Sequence, residues 1–185
     1  MPVKIVLIAA IIILQEEKIV YSEVQLGEKL FFEPMLSRDS TVSCASCHKP
    51  EFAFADNSPT SKGVKNQFGG RNTPSAMNQT DRNYYFWDGR AETLEEQALG
   101  PIENPLEMDL PLTEAVKRLK RNEMYRRSFY AIYGSAPTQE LIANCISEFE
   151  NTLETSNSPF DKFMSGDDTN AINASAKRGL NIFNE

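Results

Sequence analysis

Cys44-Ala45-Ser46-Cys47-His48 gathers two thiols and an imidazole into five residues, in a 185-residue chain that holds three Cys and a single His. The pattern is C-x-x-C-H. Two thiols separated by two residues can reach the two vinyl groups on one edge of a haem, and the adjacent His is then held beneath the iron as its proximal ligand. Rival uses of the same residues are weaker. A thioredoxin-type redox pair wants a βαβ context and a helix N-terminus, whereas the flanking sequence reads as loop. A structural zinc site needs a further ligand pair, and neither a second C-x-x-C nor another His is present. A disulfide between Cys44 and Cys47 leaves His48 without a role.

A lone c-type haem has two uses. As an electron carrier it takes a second axial ligand from the same chain, and with no second His the candidates are Met35, Met77, Met108, Met124 and Met164. As a site for oxygen or peroxide chemistry it keeps an open distal face. Residues 71–108 favour the second use, because they supply Arg71, Asn72, Trp87, Arg90, Gln97 and Glu107 in a frame rich in Gly and Pro.

The elements that must hold these residues read as helices and long loops. Val24, Leu26, Leu30 and Phe31 recur at helical spacing from Ser22 to Phe32, and Glu33-Pro34 stops that run. Residues 33–90 lack sustained periodicity and read as loop wrapped around something other than their own secondary structure. Thr93-Leu94-Glu95-Glu96 has the form of a capping box opening a short helix that Gly100-Pro101 ends. One longer helix is expected from about Thr113 to Tyr133. Thr138 caps another, in which Leu141, Ile142, Cys145, Ile146, Phe149 and Leu153 share one face, which makes Cys145 a core residue. A last helix is expected from about Asn170. No strand signal is convincing, so the fold class is all-α with long irregular loops.

Composition bounds the setting. With 41% hydrophobic and 24% charged residues the chain reads as globular, and a net charge of −7 argues against a nucleic-acid binder. The unbroken apolar run Ile5–Leu14 is too short to span a bilayer as a helix and suits an export signal, so residues 1–22 are expected to be a signal peptide or an N-terminal anchor. The chain would meet a membrane only through that segment, if it is uncleaved. Haem attachment of this type takes place outside the cytoplasm in bacteria, which points to the periplasm. An internal echo, Gly27-Glu28-Lys29-Leu30-Phe31 against Gly179-Leu180-Asn181-Ile182-Phe183, suggests that residues 169–185 start a second unit of similar design.

Six ordered motifs carry a resemblance. Leu26-Gly27-Glu28-Lys29-Leu30-Phe31-Phe32, Leu36-Ser37-Arg38-Asp39, Thr41-Val42-Ser43-Cys44-Ala45-Ser46-Cys47-His48, Gly70-Arg71-Asn72-Thr73-Pro74-Ser75, Phe86-Trp87-Asp88-Gly89-Arg90 and the stretch from Glu96 to Met108 resemble the bacterial di-haem cytochrome c peroxidases, a family that also contains the MauG enzymes. The resemblance runs from about residue 22 to the end. It implies that residues 23–168 form a cytochrome c-like peroxidatic haem domain, and that a second haem c belongs to a C-terminal half. It further implies reduction of hydrogen peroxide with electrons from a small cytochrome c or cupredoxin, or MauG-like oxidation of a protein or small-molecule substrate. A single-haem electron-transfer domain is the reading from a different class.

Residue by residue, the resemblance makes Cys44 and Cys47 the covalent haem attachments and His48 the axial iron ligand. Trp87 becomes the tryptophan between the haems, Glu107 the distal acid–base group and Gln97 its pocket neighbour. Asn72 matches a ligand of an inter-domain calcium, and Arg71 and Arg90 are candidates for the haem propionates. A homodimer is an assembly it allows. One departure is visible: many of the classical peroxidases carry, before the G-x-R-N segment, a His that caps the iron in the oxidised enzyme, and here Val64 stands at that position. Valine cannot ligate iron.

Overall fold

The structure, a computed structural model, describes residues 21–80 and 82–185, so the apolar run of the expected export signal lies outside the described residues. Helix α1 (Glu23–Phe31) starts where Ser22 and Gln25 form a reciprocal capping box, satisfying two otherwise orphaned backbone N–H groups. It buries Leu26, Leu30 and Phe31 completely. Its partner in the core is the late helix Gln139–Asn151, which contributes Ile142, Cys145, Ile146 and Phe149. Gly27 makes this crossing possible. A Cβ added there would lie 1.7 Å from the carbonyl oxygen of Cys145, so the two backbones meet where no larger residue fits.

Between these helices the chain is mostly irregular, as residues 33–90 lead one to expect. It contains the single turn α2 (Cys44–Cys47), short 3-10 turns at Pro34–Leu36, Pro50–Phe52 and Val64–Asn66, and three isolated bridges, Lys49↔Ala55, Lys62↔Phe68 and Tyr85↔Ala91. No strand occurs among the described residues. The loops are tied instead by side chains. Asp56 accepts from Lys49 at 2.8 Å, Ser61 at 2.6 Å and the backbone N–H of Ser58 at 3.2 Å, which folds residues 49–61 back on themselves.

Helix α3 (Leu94–Glu103) is capped by Thr93, as expected, but it does not stop at Gly100-Pro101. Pro101 removes only one N–H in the last turn, and Asn104 N still donates to Gly100 O at 3.1 Å, so the helix closes two residues past the proline. The single helix expected over 113–133 is two: α4 (Leu112–Arg121) and α5 (Glu123–Tyr133). Asn122 divides them, because its extended backbone ends one helix while its side chain caps the next through Tyr125 N. Helix α6 (Gln139–Asn151) follows its Thr138 cap. A short α7 (Pro159–Ser165), which the sequence pattern did not announce, and α8 (Ala174–Phe183) complete the chain. Among the described residues no helix is long and apolar enough to cross a membrane.

Candidate functional site

A cavity of about 590 Å³ opens between the irregular region, α3 and α6, within the size range of cofactor sites. Cys44, Cys47 and His48 line it. The turn that carries them is built locally: Ser43 N donates to Ser46 Oγ at 2.9 Å, and His48 N closes onto Cys44 O at 2.9 Å. His48 Nδ1 sits 3.0 Å from the carbonyl oxygen of Phe54. That carbonyl is aimed by a tight turn in which Ala53 and Phe54 both adopt left-handed φ of 54°, and an N–H···O bond to it leaves Nε2 with the lone pair that a metal needs. Burial pulls the His48 pKa down, against the Phe54 and Pro74 carbonyls, so the ring is held neutral. Both cysteines are free, and burial pushes both thiols up. Thiols of that kind make a poor redox pair, which needs a stabilised thiolate. Two unpaired thiols and an oriented, neutral imidazole on one cavity fit a covalently attached haem.

Glu107 and Gln97 line the same cavity, both half-buried. Desolvation raises the pKa of Glu107, opposed by the Asn104 amide and the positive charge of Arg90. The segment bearing Glu107 is clamped from outside. Glu107 O accepts from Val64 N at 2.8 Å, and Met108 O from Arg38 N at 2.8 Å. Gly63 packs so closely that an added Cβ would lie 2.1 Å from Leu106 O and 2.5 Å from Glu107 O. Two cations, Arg38 at 2.6 Å and Lys65 at 3.0 Å, converge on Asp109 just beyond. Val64 itself is fully buried in the main core, so its side chain serves packing and not the cavity. Of the five methionines considered, Met108 alone lines the cavity, and it is also a core residue.

Trp87, Arg71 and Arg90 line the cavity while being exposed, which places them at its mouth. Trp87 is 65% exposed and is not a core aromatic; its Nε1 donates to Asn72 O at 2.9 Å. Asp88 binds Arg71 at 2.9 Å and Arg90 at 2.7 Å, and the two guanidinium groups push its carboxyl down to about 2. Arg90 also lies over the Phe86 ring, 3.4 Å from its centroid. One aspartate against two arginines leaves a net positive charge at the mouth. Asn72 Nδ2 donates to Ser58 O at 2.9 Å, and among the described residues no group of three or more His, Cys, Asp or Glu side chains comes together around it or elsewhere.

The residue that sequence reasoning passed over is Glu150. It is 5% exposed, lines the cavity from α6, and burial pushes its pKa up to about 8. A signal for it existed: Glu150 stands four residues after Ile146 and eight after Ile142, so the helical period places a carboxyl on the apolar face.

Comparison with known proteins converges on one family. The family model described as di-haem cytochrome c peroxidase matches residues 21–169. The chain is 42% identical over 160 residues to the cytochrome c551 peroxidase of Nitrosomonas europaea, covering 86% of this chain and 48% of that protein. It is 38% identical over 161 residues to the methylamine utilization protein MauG of Methylophilus methylotrophus, again covering 86% of this chain and 48% of that protein. Among solved structures, a MauG-like protein associated with microbial copper homeostasis superposes with a TM-score of 0.77 at 29% identity, over 89% of this chain and 49% of that one. The chain therefore spans about half the length of the relatives it matches. An all-α, cytochrome c-like fold whose cavity collects C-x-x-C-H and a half-buried carboxyl agrees with that match, and the chain belongs to the di-haem cytochrome c peroxidase family.

Proposed function

We propose that this chain is the peroxidatic half of an exported, periplasmic di-haem peroxidase that reduces hydrogen peroxide to water with electrons from a small cytochrome c or cupredoxin. The observation that carries the reading is Glu107, a half-buried carboxyl with a raised pKa lining the same cavity as Cys44, Cys47 and His48. In this reading Cys44 and Cys47 hold a haem c by thioether bonds and His48 Nε2 ligates its iron; the bound haem supplies the redox chemistry. The carboxylate of Glu107 would take a proton from one oxygen of peroxide and deliver it to the other, so that the O–O bond breaks with loss of water. The two electrons this needs would come from the haem and later be replaced by the donor, and two further protons would convert the remaining oxygen to a second water. Gln97, whose side chain lines the cavity beside α3's Pro101, orients the peroxide. Arg71 and Arg90 meet the propionates at the mouth.

Trp87, exposed at that mouth, faces the unit that carries the second haem and passes electrons inward. Asn72 lies beside it and contributes to a calcium site completed by that second unit. The second reading, a MauG-like oxidation of a protein or small-molecule substrate, is favoured by one observation: Val64 is buried in the core, so this loop offers no imidazole to close the iron.

The test is Glu107→Gln in the full-length enzyme with both haems. Turnover of peroxide should fall by about 10²–10⁴-fold, the usual worth of a positioned acid–base group, while the haem spectrum stays unchanged. Full activity in this variant, or a ferric haem with a strong-field sixth ligand that ignores peroxide, would overturn the reading. Steady-state turnover with a cytochrome donor, set against oxidation of a co-purified protein substrate, separates peroxidase from the MauG-like alternative.

A further inference from the structure

We propose that Asn104 is the positioning residue of this site: its amide ties down one carboxyl oxygen of Glu107 and leaves the other to the cavity. The inference rests on the reading of Glu107 as the acid–base group and extends it to the residue that aims it.

Asn104 ends α3 and organises the whole turn that follows. Its backbone carbonyl accepts from Glu107 N at 3.0 Å and from Asp109 N at 2.9 Å. Its side chain is bound at both ends. Oδ1 accepts from Leu106 N at 3.0 Å, and Nδ2 donates to Glu107 Oε1 at 2.7 Å. The first bond fixes the second, because an N–H can be met only by the amide oxygen, so the NH₂ group must face Glu107. Asn104 is therefore a donor to the carboxyl and nothing else. A donated hydrogen bond favours the charged carboxylate and opposes the desolvation that raises its pKa. It also engages one lone pair of Oε1, which leaves Oε2 as the carboxyl oxygen without a protein hydrogen bond to exchange a proton with a bound peroxide.

The other groups around Glu107 do not duplicate this contact. Arg90 acts on it through space from the mouth, and Lys65 is committed to Asp109 together with Arg38. Glu150 and His48 line the same cavity from α6 and the attachment turn, with no hydrogen bond to Glu107. Cys44 and Cys47 feel the charge of Glu107 as free thiols, an influence that thioether formation removes.

Asn104→Asp in the full-length enzyme is the discriminating variant. The new carboxylate still accepts from Leu106 N and keeps the turn, but it places an acceptor against Glu107 where a donor stood. The acid limb of the pH–rate profile should move up by at least one pH unit, with peroxide turnover at neutral pH down about tenfold or more and recovering as pH rises. Asn104→Ala should lower turnover as well, since it loses both bonds. A second readout needs no turnover: the infrared carbonyl band of protonated Glu107, assigned by its loss in Glu107→Gln, should persist to higher pH in Asn104→Asp than in the parent. An unshifted band and pH profile in a variant with an unchanged haem spectrum and thermal midpoint would overturn the proposal. If Glu107→Gln proves fully active, the acid–base reading falls, and the band still decides whether Asn104 holds the carboxyl.

Discussion

Two turns carry the candidate chemistry of this cavity, and they are built by different means. The attachment turn, Cys44 to His48, is organised mainly by its neighbours in sequence: Ser43 and Ser46 cap it, and Phe54, six residues on, orients the imidazole, with the Pro74 carbonyl a more distant second contact. The carboxylate turn, Asn104 to Asp109, is held locally by Asn104 but pinned in place by partners far away in the chain. Arg38 and Lys65 reach Asp109 across 71 and 44 residues, and Gly63 lies against the backbone of Leu106 and Glu107. The contrast follows the chemistry. A covalent bond to a cofactor tolerates a loosely supported turn, because the bond itself fixes the geometry once made. A carboxyl proposed to transfer a proton has no such bond, and small displacements would cost rate, so the surrounding fold must hold it.

The sharpest way to break the attachment turn is to remove one of its functional atoms. In the proposed function Cys47→Ala would leave a single thioether and His48→Ala would remove the imidazole that holds the iron. His48→Ala should give the larger loss, with no iron-bound imidazole signature and peroxide activity at background, read from the visible spectrum and from haem retained after denaturing electrophoresis. Wild-type-like spectra in His48→Ala would mean that the iron is held by some other group and that the attachment turn has been misassigned.

The carboxylate turn breaks at a residue with no functional atoms. Gly63→Ala adds a methyl group whose position is already filled by the backbone of Leu106 and Glu107, so one of the two segments must move. Overpacking of this kind costs about 1–3 kcal/mol, whereas the ion pairs that the solvent-exposed Arg38 and Lys65 side chains make with Asp109 are screened and contribute little. The backbone bonds from Val64 N and Arg38 N tie the turn down, and the close approach at Gly63 leaves it no room for a larger residue. Gly63→Ala should therefore lower the thermal midpoint and depress peroxide turnover with haem content intact, while Lys65→Ala should change neither measurably. Equal effects of the two substitutions would remove the distinction.

The same contrast explains what could be read from the chain. The attachment turn was legible because its meaning lies in spacing over five residues, and α1 and α6 were legible because Leu26, Leu30 and Phe31, like Ile142, Cys145, Ile146 and Phe149, repeat at the helical period. The division at Asn122 was missed because a capping residue in the middle of an amphipathic run does not interrupt the period. The extension of α3 past Pro101 was missed because a proline one turn from a helix end costs a single hydrogen bond, which the closing bond from Asn104 makes tolerable. Gly63 carried no signal as part of a site, because its role exists only once segments distant in sequence have met. Asn104 acts on neighbours two and three residues away, but that spacing has no meaning for a site until the fold sets Glu107 against the cavity.

Glu150 belongs to neither turn, and it sharpens the comparison most finely, since it shows what the cavity does to a carboxyl that nothing supports. Glu107 has an amide donor and a nearby guanidinium to offset its desolvation; for Glu150 desolvation is the sole cause of the shift, from 4.5 up to about 8. The folded protein therefore holds a proton there that the unfolded chain releases, over the window between those two values. Wherever the folded state binds more protons, stability falls as pH rises, so this group's contribution is complete below about pH 4.5 and is lost progressively toward pH 8. Glu150→Gln keeps the shape and the neutral form at every pH. The variant should match the parent near pH 5 and exceed it in thermal midpoint near pH 8, a divergence absent from Glu107→Gln or much smaller there. Parallel curves for parent and Glu150→Gln across that range would show that the cavity stabilises the Glu150 carboxylate after all, and that its two acids differ less than their partners suggest.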